Sequence, residues 1–164
     1  MSDGPDQPRS RREAREGSLV VFSQRRDARI DLAAWNQHAE RFFGTRLGLA
    51  VPKEYGPVAP VVDAAEFILW RAGASAVSRT AFARPREDED LALADRAESR
   101  TGHTGLLLLA KRCPMIWSVP RDPAGDFDAL RLAAILASVL LGPILDVDAA
   151  QLFGVKTARM KLGS

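Results

Sequence analysis

The chain sets 23 lysines and arginines against 21 aspartates and glutamates over 164 residues, with 46% of positions hydrophobic. That balance excludes wholesale disorder and predicts one globular domain, which at this length buries roughly two thirds of its unfolded surface. A single cysteine, Cys113, excludes an internal disulfide or a thiolate metal cluster built by this chain alone, and it fits a reducing compartment.

Residues 1–17 mix Arg9, Arg11, Arg12 and Arg15 with Asp3, Asp6, Glu13 and Glu16 and lack hydrophobic periodicity, so a disordered polyampholyte tail is expected there. No apolar stretch of the secretory kind precedes residue 18, and the longest apolar run falls short of the ~20 residues that span a bilayer. A cytoplasmic protein without membrane insertion is the expectation.

The globular domain is expected over residues 18–155. Leu19, Val20, Val21 and Phe22 predict a strand covered on both faces. Asp31 then offers an N-cap to a helix in which Leu32, Trp35, Ala39, Phe42 and Phe43 recur at helical spacing until Gly44. Trp35, Ala39 and Phe42 share the face expected to meet a sheet. Leu47 to Tyr55 suits a short edge strand or an extended loop. Pro57 and Pro60 precede a predicted second helix, carried by Ala64, Phe67, Ile68, Trp70 and Arg71 to Gly73. Residues 74–82 alternate weakly as a strand that Pro85 ends, and Glu87 to Asp90 open a third helix toward Thr101.

GLLLLA, residues 105–110, is a continuous apolar run of the kind found in a buried central strand, and Met115 to Val119 resumes it. Two strands joined by a tight turn, or one bent strand with a bulge at Cys113, would account for the segment. The helix from Phe127 to Leu141 is closed by Gly142 and Pro143. Its last ten residues, LAAILASVLL, have Ser138 as the only polar side chain. Such a helix must be covered on every side, by its own domain or by a second subunit. A further short element covers Asp148 to Phe153. Residues 156–164 form a basic tail with Lys156, Arg159 and Lys161, and its apolar Met160 and Leu162 let it dock on its own domain or on a partner. Together these elements predict an α+β fold (mixed α/β): a single domain with a mixed sheet of about four to five strands, packed by about four helices, with the apolar C-terminal helix central to the core.

Few residue types here can carry chemistry. Cys113, beside Lys111 and Arg112, is a candidate nucleophile because neighbouring cations favour a thiolate, and His103 is its candidate partner. A strand of six residues between them would hold the two roughly 20 Å apart, which argues against the pair. Arg112 and Asp122 are candidate ligand contacts at strand ends. The turn TGHTG, residues 101–105, matches no phosphate-loop pattern, and Gly102 is explained as a helix stop. Glu87 to Asp90 lack the spacing of a calcium loop, and two scattered histidines cannot build a zinc site or a familiar triad. No metal and no cofactor are expected.

Trp35, Trp70 and Trp117 each lie in a predicted element, where burial in the core is the default; any left exposed would mark a contact surface. With Phe153 they are the candidate interaction residues. No basic stripe interleaved with aromatics favours nucleic acid. The expected function is a non-catalytic protein-interaction or regulatory module that self-associates to a homo-oligomer. The alternative is a small enzyme or ligand-binding domain with a pocket near Cys113 and His103.

Overall fold

Every side chain of β1 (Ser18–Ser23) is enclosed, and strand alternation sends Leu19 and Val21 into one apolar cluster and Val20 and Phe22 into another. A strand buried on two faces lies inside its sheet, with a layer on either side. The computed structural model, which describes residues 17–50, 64–121 and 126–163, has that arrangement. After β1 come α1 (Leu32–Phe43), β2 (Thr45–Ala50), β3 (Ala64–Arg71), β4 (Val77–Pro85), α2 (Asp88–Thr101), α3 (Leu106–Lys111), β5 (Met115–Pro120), α4 (Phe127–Leu140), β6 (Ile144–Asp146), β7 (Gln151–Phe153) and α5 (Val155–Lys161). The strands form one sheet in the order β2, β3, β4, β5, β1, β6, β7. Every pairing is antiparallel, from Ser18↔Pro120 between β1 and β5 to Ile144↔Phe153 between β6 and β7.

The expected mixed sheet of four to five strands is therefore corrected to seven antiparallel strands, with five helices among the described residues. The added strands are β6 and β7, and two further segments exchange conformations. Residues 64–71, expected to be helical, form β3: Ala65, Phe67 and Leu69 face the core, while Glu66, Ile68 and Trp70 face the other way. Apolar residues on both faces imitate helical spacing, and only the inward set has the strand period. Residues 106–111, expected to be a central strand, form the short helix α3, and Leu108 is 65% exposed. A run of leucines has no period of its own. Its conformation is set from outside, by the Glu98 carboxylate, whose Oε1 accepts hydrogen bonds from the backbone N–H groups of Leu106 (2.9 Å) and Leu107 (3.1 Å) and from the Thr104 hydroxyl (2.8 Å). A carboxylate on the free N–H groups of a first turn fixes that turn as helix.

The helix signals read more faithfully. Asp31 caps α1 by accepting from the Ala34 N–H at 3.3 Å, and Gly44 ends it in the left-handed conformation. Trp35 and Ala39 are buried as expected, but Phe42 is 41% exposed, and Phe43 packs against the core instead. Asp126 caps α4 through the Ala129 N–H at 3.0 Å. Along α4 the residues from Leu132 to Ala137 are at most 1% exposed, covered by the sheet with α1 and α5 on its flanks. The domain covers its own apolar helix, and no second subunit is needed for that. α5 packs on α4 with Ala158 fully buried.

The two layers are unequal. α1, α4 and α5 pack on one face over the aromatic trio Trp35, Phe67 and Trp117, whose ring centroids lie 6.3 to 6.4 Å apart. On the other face α2 and α3 pack over the β1, β5, β6 and β7 half of the sheet through Ala94, Ala97, Ala110 and Cys113. The Arg84 guanidinium fixes the rim of that layer by a two-pronged ion pair with the fully buried Asp90, at 2.7 and 2.8 Å. No helix among those described covers β2 and β3 on the α2 side.

Candidate functional site

Of the candidate catalytic residues singled out in the sequence, Cys113 is the more deeply placed. It is fully buried beneath α2 and α3, its Sγ donates to the Leu109 carbonyl at 3.3 Å, and burial pushes the thiol up to about 11, with Arg86 opposing only in part. A thiol so placed is neutral at physiological pH and has no route to a substrate. His103 lies in the exposed turn between α2 and α3, and Arg112 is the exposed cap residue of α3. Asp122 lies outside the described residues. Trp35, Trp117 and Phe153 are 3%, 0% and 5% exposed and belong to the core, whereas Trp70 is 37% exposed.

Trp70 belongs to a surface that strand alternation builds directly. β2 turns Arg46 and Gly48 to the α2 side, β3 turns Glu66, Ile68 and Trp70, and β4 turns Ser78, Thr80 and Phe82. Because α2 stops short of these strands, no described helix covers the row, and Phe82 is 44% exposed. The indole of Trp70 lies across Gly48, where a Cβ would come within 2.6 Å of the ring. Glycine at that position lets the tryptophan lie flat on its sheet. The Arg46 guanidinium sits 5.4 Å from the Trp70 ring centroid, and the Ser78 hydroxyl donates to the Glu66 carboxylate. The result is an aromatic surface on a rigid three-stranded platform, bordered by β2, an edge strand.

A second feature was hidden in the sequence because its parts are far apart along it. Where α1 crosses the last turn of α4, His38 Nε2 and Ser138 Oγ lie 2.5 Å apart. They line a cleft of about 480 Å³ that Gln24, Arg25, Asp31 and Trp35 also border. Burial, aided by the Arg41 cation, holds His38 below its ordinary pKa, so the imidazole is neutral at physiological pH. The pair resembles the start of a nucleophilic dyad, yet Ser138 sits at the C-terminal end of α4, where the helix presents carbonyl oxygens. An oxyanion forming there would meet the negative end of the dipole. Asp31 is committed to capping α1 and lies two turns from His38.

No known family matches the chain, and neither a curated protein nor a solved structure matches it. The surface has to be interpreted from its own chemistry. Among the described residues no group of three or more His, Cys, Asp and Glu side chains is placed to hold a metal ion, and no helix is long and apolar enough to cross a membrane.

Proposed function

We propose that the protein is a non-catalytic interaction module whose docking surface is the open row of β2, β3 and β4, and that a second copy of the chain is the partner this surface fits. The observation that carries this is the exposure of Trp70 and Phe82 on a flat strand platform that no described helix covers. Aromatic side chains on rigid backbone are the usual anchors of protein contacts, because they bury a large area at little entropic cost. The row also carries Arg46 and Glu66, charges of opposite sign. Two copies related by a twofold axis can therefore set cation against carboxylate with the same patch on each side.

Three strands about 5 Å apart make a platform some 15 Å wide and about 20 Å long, roughly 300 Å² on each copy, which is below the range of stable interfaces and suits only a weak, transient contact. Such a contact is reversible, with a Kd on the order of 100 μM, and suits a regulatory encounter better than a permanent dimer. Sedimentation velocity over a concentration series tests it. The expected result is a monomer at low concentration that passes to a dimer, with the Trp70→Ser and Phe82→Ser variants each weakening association by about thirtyfold. A wild-type chain that stays monomeric at every concentration, or serine variants that dimerise unchanged, would remove this proposal. Both side chains are exposed, so the variants leave the core intact.

The cleft between α1 and α4 favours ligand binding as a second possibility, since a neutral imidazole, a hydroxyl and Arg25 converge on one concavity. It also moves the alternative of a small ligand-binding domain away from Cys113 and His103.

A further inference from the structure

The cleft of about 480 Å³ between α1 and α4 has apolar walls and one polar pair that is only partly engaged. Trp35, Val139, Leu140 and Leu141 supply the walls, so most of an occupant would rest against hydrocarbon and indole. Two of the polar side chains are committed to the fold. Gln24 Nε2 donates to the Leu141 carbonyl at 2.7 Å, and the Asp31 carboxylate accepts from the Ala34 N–H at 3.3 Å. The side chains of His38 and Ser138, 2.5 Å apart, hydrogen-bond only to each other among the described residues. Burial, with the Arg41 cation, keeps the imidazole neutral, so it carries one N–H and one lone pair. Whichever of the two atoms donates within the pair, one donor and at least one acceptor remain free.

Charge narrows the class of occupant. Arg25 and Asp31 are the formal charges on the lining, one of each sign. The end of α4 adds carbonyl oxygens, which disfavour an anion, and the Arg41 cation beside His38 disfavours another cation. A charged group entering the cleft therefore meets no counter-charge in excess, and a charge leaves water at high cost unless it is paired. An uncharged amide avoids that cost, and it brings the acceptor and the donor that the free groups of the pair require.

We propose that this cleft binds a small uncharged molecule with an apolar body and an amide head, the head exchanging one donor and one acceptor with the His38 and Ser138 pair. The assignment rests on the reading of the cleft as a ligand site. It does not depend on the proposed dimer, because α1 and α4 lie on the face of the sheet opposite Trp70 and Phe82.

Amide NMR titration of the full chain with benzamide, benzoate and benzylammonium, probes of similar size but different charge, tests it. Benzamide is expected to give saturable shifts around residues 34–38 and 138–141 with a Kd on the order of 1 mM, and the two ions to bind about tenfold more weakly or less. Ser138→Ala, which leaves a good helix former in α4, should weaken benzamide about fivefold. Ala34→Phe places a ring in the cleft from an exposed position and should abolish the shifts while melting with the wild type. Either ion binding as tightly as benzamide, or benzamide binding unchanged in Ser138→Ala, would overturn the amide assignment and leave the cleft a ligand site. No saturable shift from any of the three probes up to about 20 mM would overturn the assignment together with the reading on which it rests.

Discussion

Replacing Gly142 with alanine is expected to lower the melting temperature by about 10 °C or more. The residue links α4 to β6 and passes against the backbone of β1. A Cβ there would fall far inside contact distance of the Phe22 carbonyl oxygen, 2.6 Å from the carbonyl carbon and 3.2 Å from Cys113 Sγ. None of these atoms can yield. The Phe22 and Gln24 N–H groups donate to the Pro143 and Leu140 carbonyls at 3.0 Å each, which pins the two segments together. Overpacking against fixed backbone costs about 3 to 5 kcal/mol at the upper end of its range. Gly48 is the contrast, because an alanine there meets only the exposed ring of Trp70, which can turn aside. Thermal melts followed by circular dichroism distinguish the two sites, and a Gly142→Ala variant that melts with the wild type would contradict this packing.

The second large effect is expected at Glu98. The residue is 5% exposed, and its carboxylate ties the turn at Thr104 and the first turn of α3 to α2 through hydrogen bonds to one oxygen. Removing it in Glu98→Ala strands those donors and should cost about 3 kcal/mol at neutral pH. The Thr104 hydroxyl bond, opposed by burial and reinforced by the backbone donors, holds Glu98 below its ordinary pKa of 4.5. A carboxylate depressed on folding stabilises fully above its unfolded-state pKa and loses that contribution as pH falls through the folded value. Wild-type stability should therefore fall more steeply below pH 4.5 than that of Glu98→Gln, which cannot take up that proton. Chemical denaturation across acid pH measures this, and parallel profiles for the two proteins would contradict it.

The features that reached the surface of the sequence were local ones. Asp31 and Gly44 mark the ends of α1 because capping needs only a side chain and its nearest backbone groups. The apolar run from Leu132 identified the central helix, because a segment without a polar face has to be interior. What failed depended on contacts across the chain. Leu106 to Ala110 are helical because Glu98, on another helix, accepts from their first N–H groups, and four leucines in a row carry no trace of that. β3 passed for a helix because its outward face, with Ile68 and Trp70, is nearly as apolar as its inward one. That same excess of apolar residues is the sign of the candidate surface: a strand that is greasy on a side no described helix covers. The His38 and Ser138 pair spans 100 positions in sequence, and no spacing rule could have joined them.

Amide NMR spectra recorded through a dilution series test the proposed docking surface most directly. Concentration-dependent shifts are expected in the amides of β2, β3 and β4 and in the Trp70 indole N–H, with α4 and its neighbours unmoved. Spectra that do not change with concentration, or shifts gathered around His38 and Ser138 instead, would show that the open row of the sheet is not where copies of this chain meet.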